Sequence, residues 1–81
     1  MDFVLGQIQL FAFHFAMEGW MVCDGRSLPI SQNQALFSLL GTTYGGDGHS
    51  TFCLPNLKNT APLSGLEYYI AVQGIYPMRA Y

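Results

Sequence analysis

The chain has 81 residues, of which 51% are hydrophobic and only 10% charged, and its net charge is −2 at pH 7. Because an average soluble domain carries about 25% charged residues, the chain is too apolar to be disordered and is expected to hide surface against copies of itself or a partner. Its three basic residues are scattered, which argues against nucleic-acid binding, and no apolar run is long enough to cross a membrane.

The length predicts one domain, spanning residues 1–81. The first residues, MDFVLGQIQLFAF, carry an acid at position 2 and glutamines within the apolar stretch, which is not the pattern of a Sec signal peptide.

The first predicted element is a strand over residues 7–16. Its residues are rich in aromatic and branched side chains, and glycines stand near both of its ends. Phe11, Phe13 and Phe15 fall on one face and aliphatic residues on the other, so both faces should be covered.

A short hairpin is predicted next, with arms at residues 20–23 and 26–28. Asp24-Gly25 suits the type I′ turn between them, since both central residues need positive φ. Pro29 ends the second arm.

The clearest local signal is a helix over about residues 32–40. Ser31 and Gln34 have the spacing of a capping box, and Gly41 is placed for a left-handed C′ residue. A helix this short must dock on a sheet to be stable. Two more strands follow, at residues 51–54 and 68–77. Together the elements predict an α+β fold: a small mixed or antiparallel sheet with a short hairpin, one short helix and long loops.

The glycine-rich loop between helix and strand reads TTYGGDGHS. A phosphate-binding loop precedes a helix, whereas this one follows it, and no Lys comes after the glycines. The acidic ligands of an EF-hand are missing too. The loop is therefore interpreted as structural: Gly45, Gly46 and Gly48 supply positive φ, and Asp47 forms an Asx turn.

No catalytic, cofactor-binding or metal-binding residue is predicted. Cys53 and His49 lie four apart at a strand, too far for a nucleophile–base pair, and His14 is expected to be a packed or interface residue. Two cysteines and a loose histidine do not make a zinc site. Cys23 and Cys53 are expected to be free, although a bridge between them would stabilise the chain by ~3–4 kcal/mol.

The sequence resembles the phage tail-collar domain family, which includes short-tail-fibre collar regions and the bacterial microcystin-dependent proteins. The resemblance runs without a gap over residues 6–57. It is carried by five stretches: GQIQLF at 6–11, GWMVCDG at 19–25, SQNQALFSLLGT at 31–42, YGGDG at 44–48 and TFCLPNL at 51–57.

Two departures mark the chain as a shortened member. Lys58-Asn59-Thr60 stands where the family usually has Arg-Gly-Arg, and the long variable segment before the last strand is nearly absent. The resemblance implies a structural, non-enzymatic role in a virion, phage-like particle or extracellular assembly. It also implies homo-oligomers, with a trimer or fibre favoured and other tail proteins as further partners.

Self-association is also predicted without the resemblance. The two long strands are apolar on both faces, and the one short helix can cover only one of these faces. The predicted interface consists of aromatic residues of both strands: Phe11, Phe13, Phe15, Tyr68, Tyr69 and Tyr76. The alternative is an adhesion module in which exposed tyrosines and the glycine loop bind a glycan or another surface.

Overall fold

The computed structural model describes residues 3–13 and 17–77, which form two small antiparallel sheets, one α-helix and long loops. The predicted α+β class is confirmed. In chain order the elements are β1 (Ile8–Phe11), β2 (Trp20–Val22), β3 (Ser27–Pro29), a 3-10 turn (Ile30–Gln32), α1 (Gln34–Leu40), β4 (Thr51–Cys53) and β5 (Glu67–Ala71).

The three-stranded sheet has the order β1-β5-β2, and both of its pairings are antiparallel. Its outer strand β1 is shorter than predicted, because the chain bends at Ala12; the rest of the predicted strand, residues 14–16, lies outside the described residues. The last strand also ends early, at Ala71. Gly74 follows at φ +136 and approaches the backbone of Phe3, so the chain leaves the sheet there.

The predicted hairpin is wrong. Strand β2 pairs with β5 and strand β3 pairs with β4, so the two expected arms belong to different sheets. Gly25 has a positive φ of +82, but Asp24 does not, and a type I′ turn needs both. Instead, the Asp24 carboxylate accepts hydrogen bonds from the Arg26 backbone N–H at 3.1 Å and from its guanidinium at 3.0 Å.

The predicted helix cap is also wrong. Ser31 lies within the 3-10 turn, the α-helix begins at Gln34, and no side chain caps the first turn of either segment. Asn33 is the N-cap residue, and its side chain donates instead to the Pro29 carbonyl at 3.0 Å. The helix ends at Leu40 as expected. Gly41 has φ 58 but ψ −145, which places it outside the left-handed helical region that the sequence suggested.

The main core lies between the two sheets and the helix. Leu36 from α1, Phe52 from β4 and Ile70 from β5 are each at most 1% exposed. Side chains alternate along a strand, so the face of the three-stranded sheet that carries Ile70 is the one that packs into this core. Its neighbours Tyr69 and Ala71, buried as well, lie on the second face.

Candidate functional site: an aromatic surface on the second face of the sheet

The glycine-rich loop is built around the carboxylate of Asp47. One of its oxygens accepts the backbone N–H groups of His49, Ser50 and Thr51 at 2.8, 2.9 and 3.0 Å, and the other accepts the Ser50 hydroxyl at 3.0 Å. The backbone donors of Thr51, Ser50 and His49 hold the pKa of this carboxyl well below its usual range. The carboxylate is thus engaged in folding its own loop.

The same loop lies along the outer edge of β4. Gly45 accepts the N–H of Cys53 at 3.1 Å, and Gly48 donates to the carbonyl of Thr51 at 3.0 Å. Gly46 has φ +97, and a Cβ there would press on the Cα of Phe52. The glycines therefore allow the loop to approach β4 closely enough to complete the hydrogen bonds of its edge.

The titratable groups in the described part of the chain form no reactive centre. Within residues 3–13 and 17–77, no three His, Cys, Asp or Glu side chains are grouped as metal ligands would be. Both cysteines are free. Burial, with the nearby charges of Asp24 and Glu67, raises the pKa of the Cys23 thiol to about 11, so this cysteine is not a nucleophilic thiolate at neutral pH. His14 lies outside the described residues.

The second face of the three-stranded sheet carries a cluster of aromatic rings. The strand register places Tyr69 opposite both Gln9 of β1 and Val22 of β2. Because side chains alternate, Phe11 and Trp20 project from the same face as Tyr69. Phe3 and Phe13 join them from the flanking segments. We call these five residues the aromatic surface.

The rings of the aromatic surface contact one another in tilted and edge-on arrangements. Phe11 is central: its ring centroid lies 5.3 Å from those of Phe13 and Trp20 and 5.5 Å from that of Tyr69. The Phe3 and Trp20 centroids are 5.1 Å apart. These are the separations at which aromatic pairs attract beyond simple area burial.

Burial divides the aromatic surface into two layers. Tyr69 is only 4% exposed and donates its hydroxyl to the Phe13 carbonyl at 3.3 Å. Phe3, Phe11, Phe13 and Trp20 lie over it and are themselves only half-buried. None of the four belongs to the main core, so they form a second, partly solvated apolar layer.

Of the five predicted interface residues that the structure describes, it brings together three. Phe11, Phe13 and Tyr69 share the aromatic surface, but Tyr69 is covered by its own chain and is not available for a partner. Tyr68 lies on the opposite face and packs against the main core. Tyr76 lies near α1, where its hydroxyl is 2.7 Å from that of Ser38. Phe15 is outside the described residues.

Sequence reasoning missed Phe3 and Trp20. Trp20 falls in the predicted hairpin, which hides its position beside β5, and Phe3 precedes every predicted element. The one available signal was the tryptophan itself, since a large ring in a three-residue strand needs a neighbouring surface to pack on. Its partners come from distant parts of the chain.

A second apolar area lies away from the aromatic surface. Val4 and Ile75 form an isolated parallel bridge, and they are 39% and 57% exposed. Leu39 of α1 and Tyr76 lie nearby and are 37% and 47% exposed. In the described residues, exposed apolar side chains therefore also occur outside the aromatic surface.

Comparison with known proteins adds an independent finding. The model of one family, the phage tail collar domain, matches residues 6–62, which is more than half of the chain. No curated protein matches the chain. In the part of the chain that the structure describes, no helix has the length and apolar character needed to cross a bilayer.

Proposed function

The chain belongs to the phage tail collar domain family, and we propose that it acts as a structural module that self-associates within a phage tail or phage-like particle. The family is a structural domain of phage tails and not an enzyme family. In this role it assembles with copies of itself and with other tail proteins.

The observation that carries the proposal is the half-buried outer layer of the aromatic surface. Phe3, Phe11, Phe13 and Trp20 rest on a buried Tyr69 but still face solvent in part. Interfaces are enriched in such rings, and pre-packed aromatics lose little conformational freedom on binding. We propose that a second copy covers this layer.

Association is expected to depend on concentration. Covering the half-buried rings of the aromatic surface stabilises the assembly by removing apolar area from water, whereas the loss of translational and rotational freedom opposes it by about 4–15 kcal/mol. A closed ring, in which each copy makes two contacts, is favoured over an isolated pair; a trimer is our preferred state by analogy with the family's tail fibres.

The test is light scattering of the wild type and two charge-bearing variants at about 1 and 100 μM, a range that brackets weak association. Phe13→Asp places a carboxylate on the aromatic surface, whereas the control Tyr44→Asp places one on a loop residue that is 49% exposed. We expect the wild type and the control to form oligomers and Phe13→Asp to give smaller species. A wild type that remains a folded 9.0 kDa monomer at both concentrations would refute the proposal.

An adhesion role remains the second candidate, because Tyr44 offers an exposed ring within the glycine loop. Aromatic rings bind the apolar faces of sugars, but the Asp47 carboxylate is not free to orient a sugar, since it already accepts four hydrogen bonds. A glycan array separates the two functions: binding that is lost in Tyr44→Ala would favour adhesion.

A further inference from the structure

Strand β1 presents an open edge of backbone hydrogen-bonding groups. The N–H of Ala71 donates to the Gln7 carbonyl at 2.8 Å, which fixes the alternation of the β1–β5 ladder. Residues 9 and 11 therefore direct their backbone groups toward β5, and Ile8 and Leu10 direct theirs outward. In residues 3–13 and 17–77, no partner meets these four outward groups.

The edges of the smaller sheet are partly closed, with the outward backbone groups of Ser27 on β3 left open in the described part of the chain. The glycine loop hydrogen-bonds to the outer side of β4, with Cys53 donating to Gly45. On β3, Pro29 has no N–H to offer, and its carbonyl accepts the Asn33 side chain at 3.0 Å.

The far edge of the larger sheet, β2, is partly closed. The N–H of Trp20 donates to Met17 at 3.2 Å, and the carbonyl of Val22 accepts from Asp24 at 3.0 Å. Strand β1 therefore has the most open edge in the described structure.

Two features of β1 limit edge pairing: the strand has only four residues, and a glycine bulge, in which Gly6 (φ +86) and Gln7 both oppose Ala71, precedes it. The strand itself lacks the other devices that prevent edges from pairing. Ile-Gln-Leu-Phe contains no charge and no proline, and Ile8 is 40% exposed. Natural edge strands are commonly blunted by lysine, proline or a bulge. An uncharged, apolar, exposed edge is instead suited to receiving another strand.

We propose that the β1 strands of two copies pair edge to edge, antiparallel, about a twofold axis at Gln9. In this register Ile8 of each copy exchanges two hydrogen bonds with Leu10 of the other, so all four outward groups of each strand are used. The result is one continuous six-stranded sheet with the order β2-β5-β1-β1-β5-β2.

The side chains fit the same register. The two Ile8–Leu10 pairs place apolar side chains next to each other on the core face of the sheet, and the two Gln9 amides meet on the other face. Neutral residues at every paired position of Ile8–Phe11 leave no charge repulsion across the axis. Because the edge is complementary to itself, a second copy of this chain is the partner expected to pair with β1.

This inference rests on the proposed self-association but assigns a second contact, separate from the aromatic surface. A twofold contact at the edge joins closed oligomers to one another, whereas the aromatic surface closes each of them. The two contacts can therefore fail independently.

The experiment compares Gln9→Cys with the matched control Gln7→Cys, both at exposed glutamines close together in the chain. At the axis, the two copies of residue 9 have Cα atoms about 4.5 Å apart, within disulfide range. The two copies of residue 7 lie about 14 Å apart, which excludes a bond. Disulfide-linked dimers under mild oxidation are quantified, and the bridged residues are identified by peptide mass spectrometry.

We expect the Gln9→Cys dimer to form at least about tenfold faster than the Gln7→Cys dimer, because pairing raises the local thiol concentration only at the axis. A synthetic Gln9→Cys chain with N-methylated Leu10 keeps the side chain but loses one outward N–H, and should lose this preference. Equal rates for the two cysteine variants, or a preference that survives N-methylation, would overturn the edge pairing.

The outcomes also separate this inference from the proposed function. Oligomers that depend on Phe13 but show no Gln9→Cys preference would refute the edge pairing and leave the proposed function standing. A selective Gln9→Cys cross-link in a chain that light scattering finds monomeric would support a weak edge contact and refute the function proposed for the aromatic surface.

Discussion

Replacing Gly46 by alanine should destabilise the fold far more than the loss of one flexible residue in a loop would suggest. Gly46 has φ +97, where an L-residue is strained, and the glycine loop lies directly against β4. A Cβ at this position would press on the Cα of Phe52 and come within 2.7 Å of the Thr51 carbonyl oxygen. Since both contacts are backbone, the loop itself must move.

The magnitude has two parts. The left-handed conformation costs about 1–2 kcal/mol for a residue with a Cβ. Moving the loop also weakens the Cys53–Gly45 and Gly48–Thr51 hydrogen bonds, each worth about 0.5–1.5 kcal/mol. The free energy of unfolding should therefore fall by about 2–5 kcal/mol, a large part of the stability of a small domain.

The matched control is Gly65→Ala. Gly65 has a similar φ of +88, but a Cβ there would meet no atom within 4 Å, so only the conformational cost of about 1–2 kcal/mol applies. Urea unfolding of both variants, followed by far-ultraviolet circular dichroism at one fixed protein concentration, measures the difference. Equal destabilisation of the two variants would refute the close packing of the loop on β4.

Three further predictions concern the loop, the helix and the cysteines. The pKa of Asp47 is lower in the folded chain than in the unfolded chain, so this carboxylate stabilises the fold above the unfolded pKa of about 3.9, and that stabilisation is lost as the pH falls below it. In an acid titration, Asp47→Asn should therefore lose less stability than the wild type. Ser31→Ala should change stability by less than about 0.5 kcal/mol, whereas Asn33→Ala should cost about 0.5–1.5 kcal/mol by removing the hydrogen bond from the Asn33 side chain to the Pro29 carbonyl. Thermal unfolding of the two variants measures the difference, and a larger loss for Ser31→Ala would contradict the observed cap. A thiol reagent at pH 8 should label Cys53 first and Cys23 only on unfolding; equal labelling of the folded chain would contradict the burial of Cys23.

The local elements were predictable where short-range chemistry decides them. The end of α1 at Leu40 and the strand that begins at Thr51 follow from the apolar stripe, the glycine and the proline in the sequence. The fold class followed from the same patterns. The prediction of the helix cap is wrong because a 3-10 turn after Pro29 contains the residues that the capping pattern assigned to the start of the helix.

Pairing between distant strands was not predictable from the sequence. Asp24-Gly25 looks like a hairpin turn, but β2 pairs instead with the longer strand β5, and β3 pairs with β4. The aromatic surface depends on that long-range choice, because Trp20 reaches Phe11 only when both flank β5. Three of the predicted interface residues lie in this surface. The position of Trp20 beside them could be found only from the structure.

The most direct test of the account uses Trp20, the single tryptophan of the chain, which lies in the aromatic surface. Its fluorescence and its quenching by acrylamide are measured across a dilution series from about 100 μM to 0.1 μM, beside the same series for Phe13→Asp. We predict that emission shifts to the red and quenching increases on dilution of the wild type, because dissociation exposes the ring, while the variant already has the exposed values throughout. Emission and quenching that stay constant in a wild type shown to be oligomeric would contradict the account, since assembly would then leave the aromatic surface uncovered.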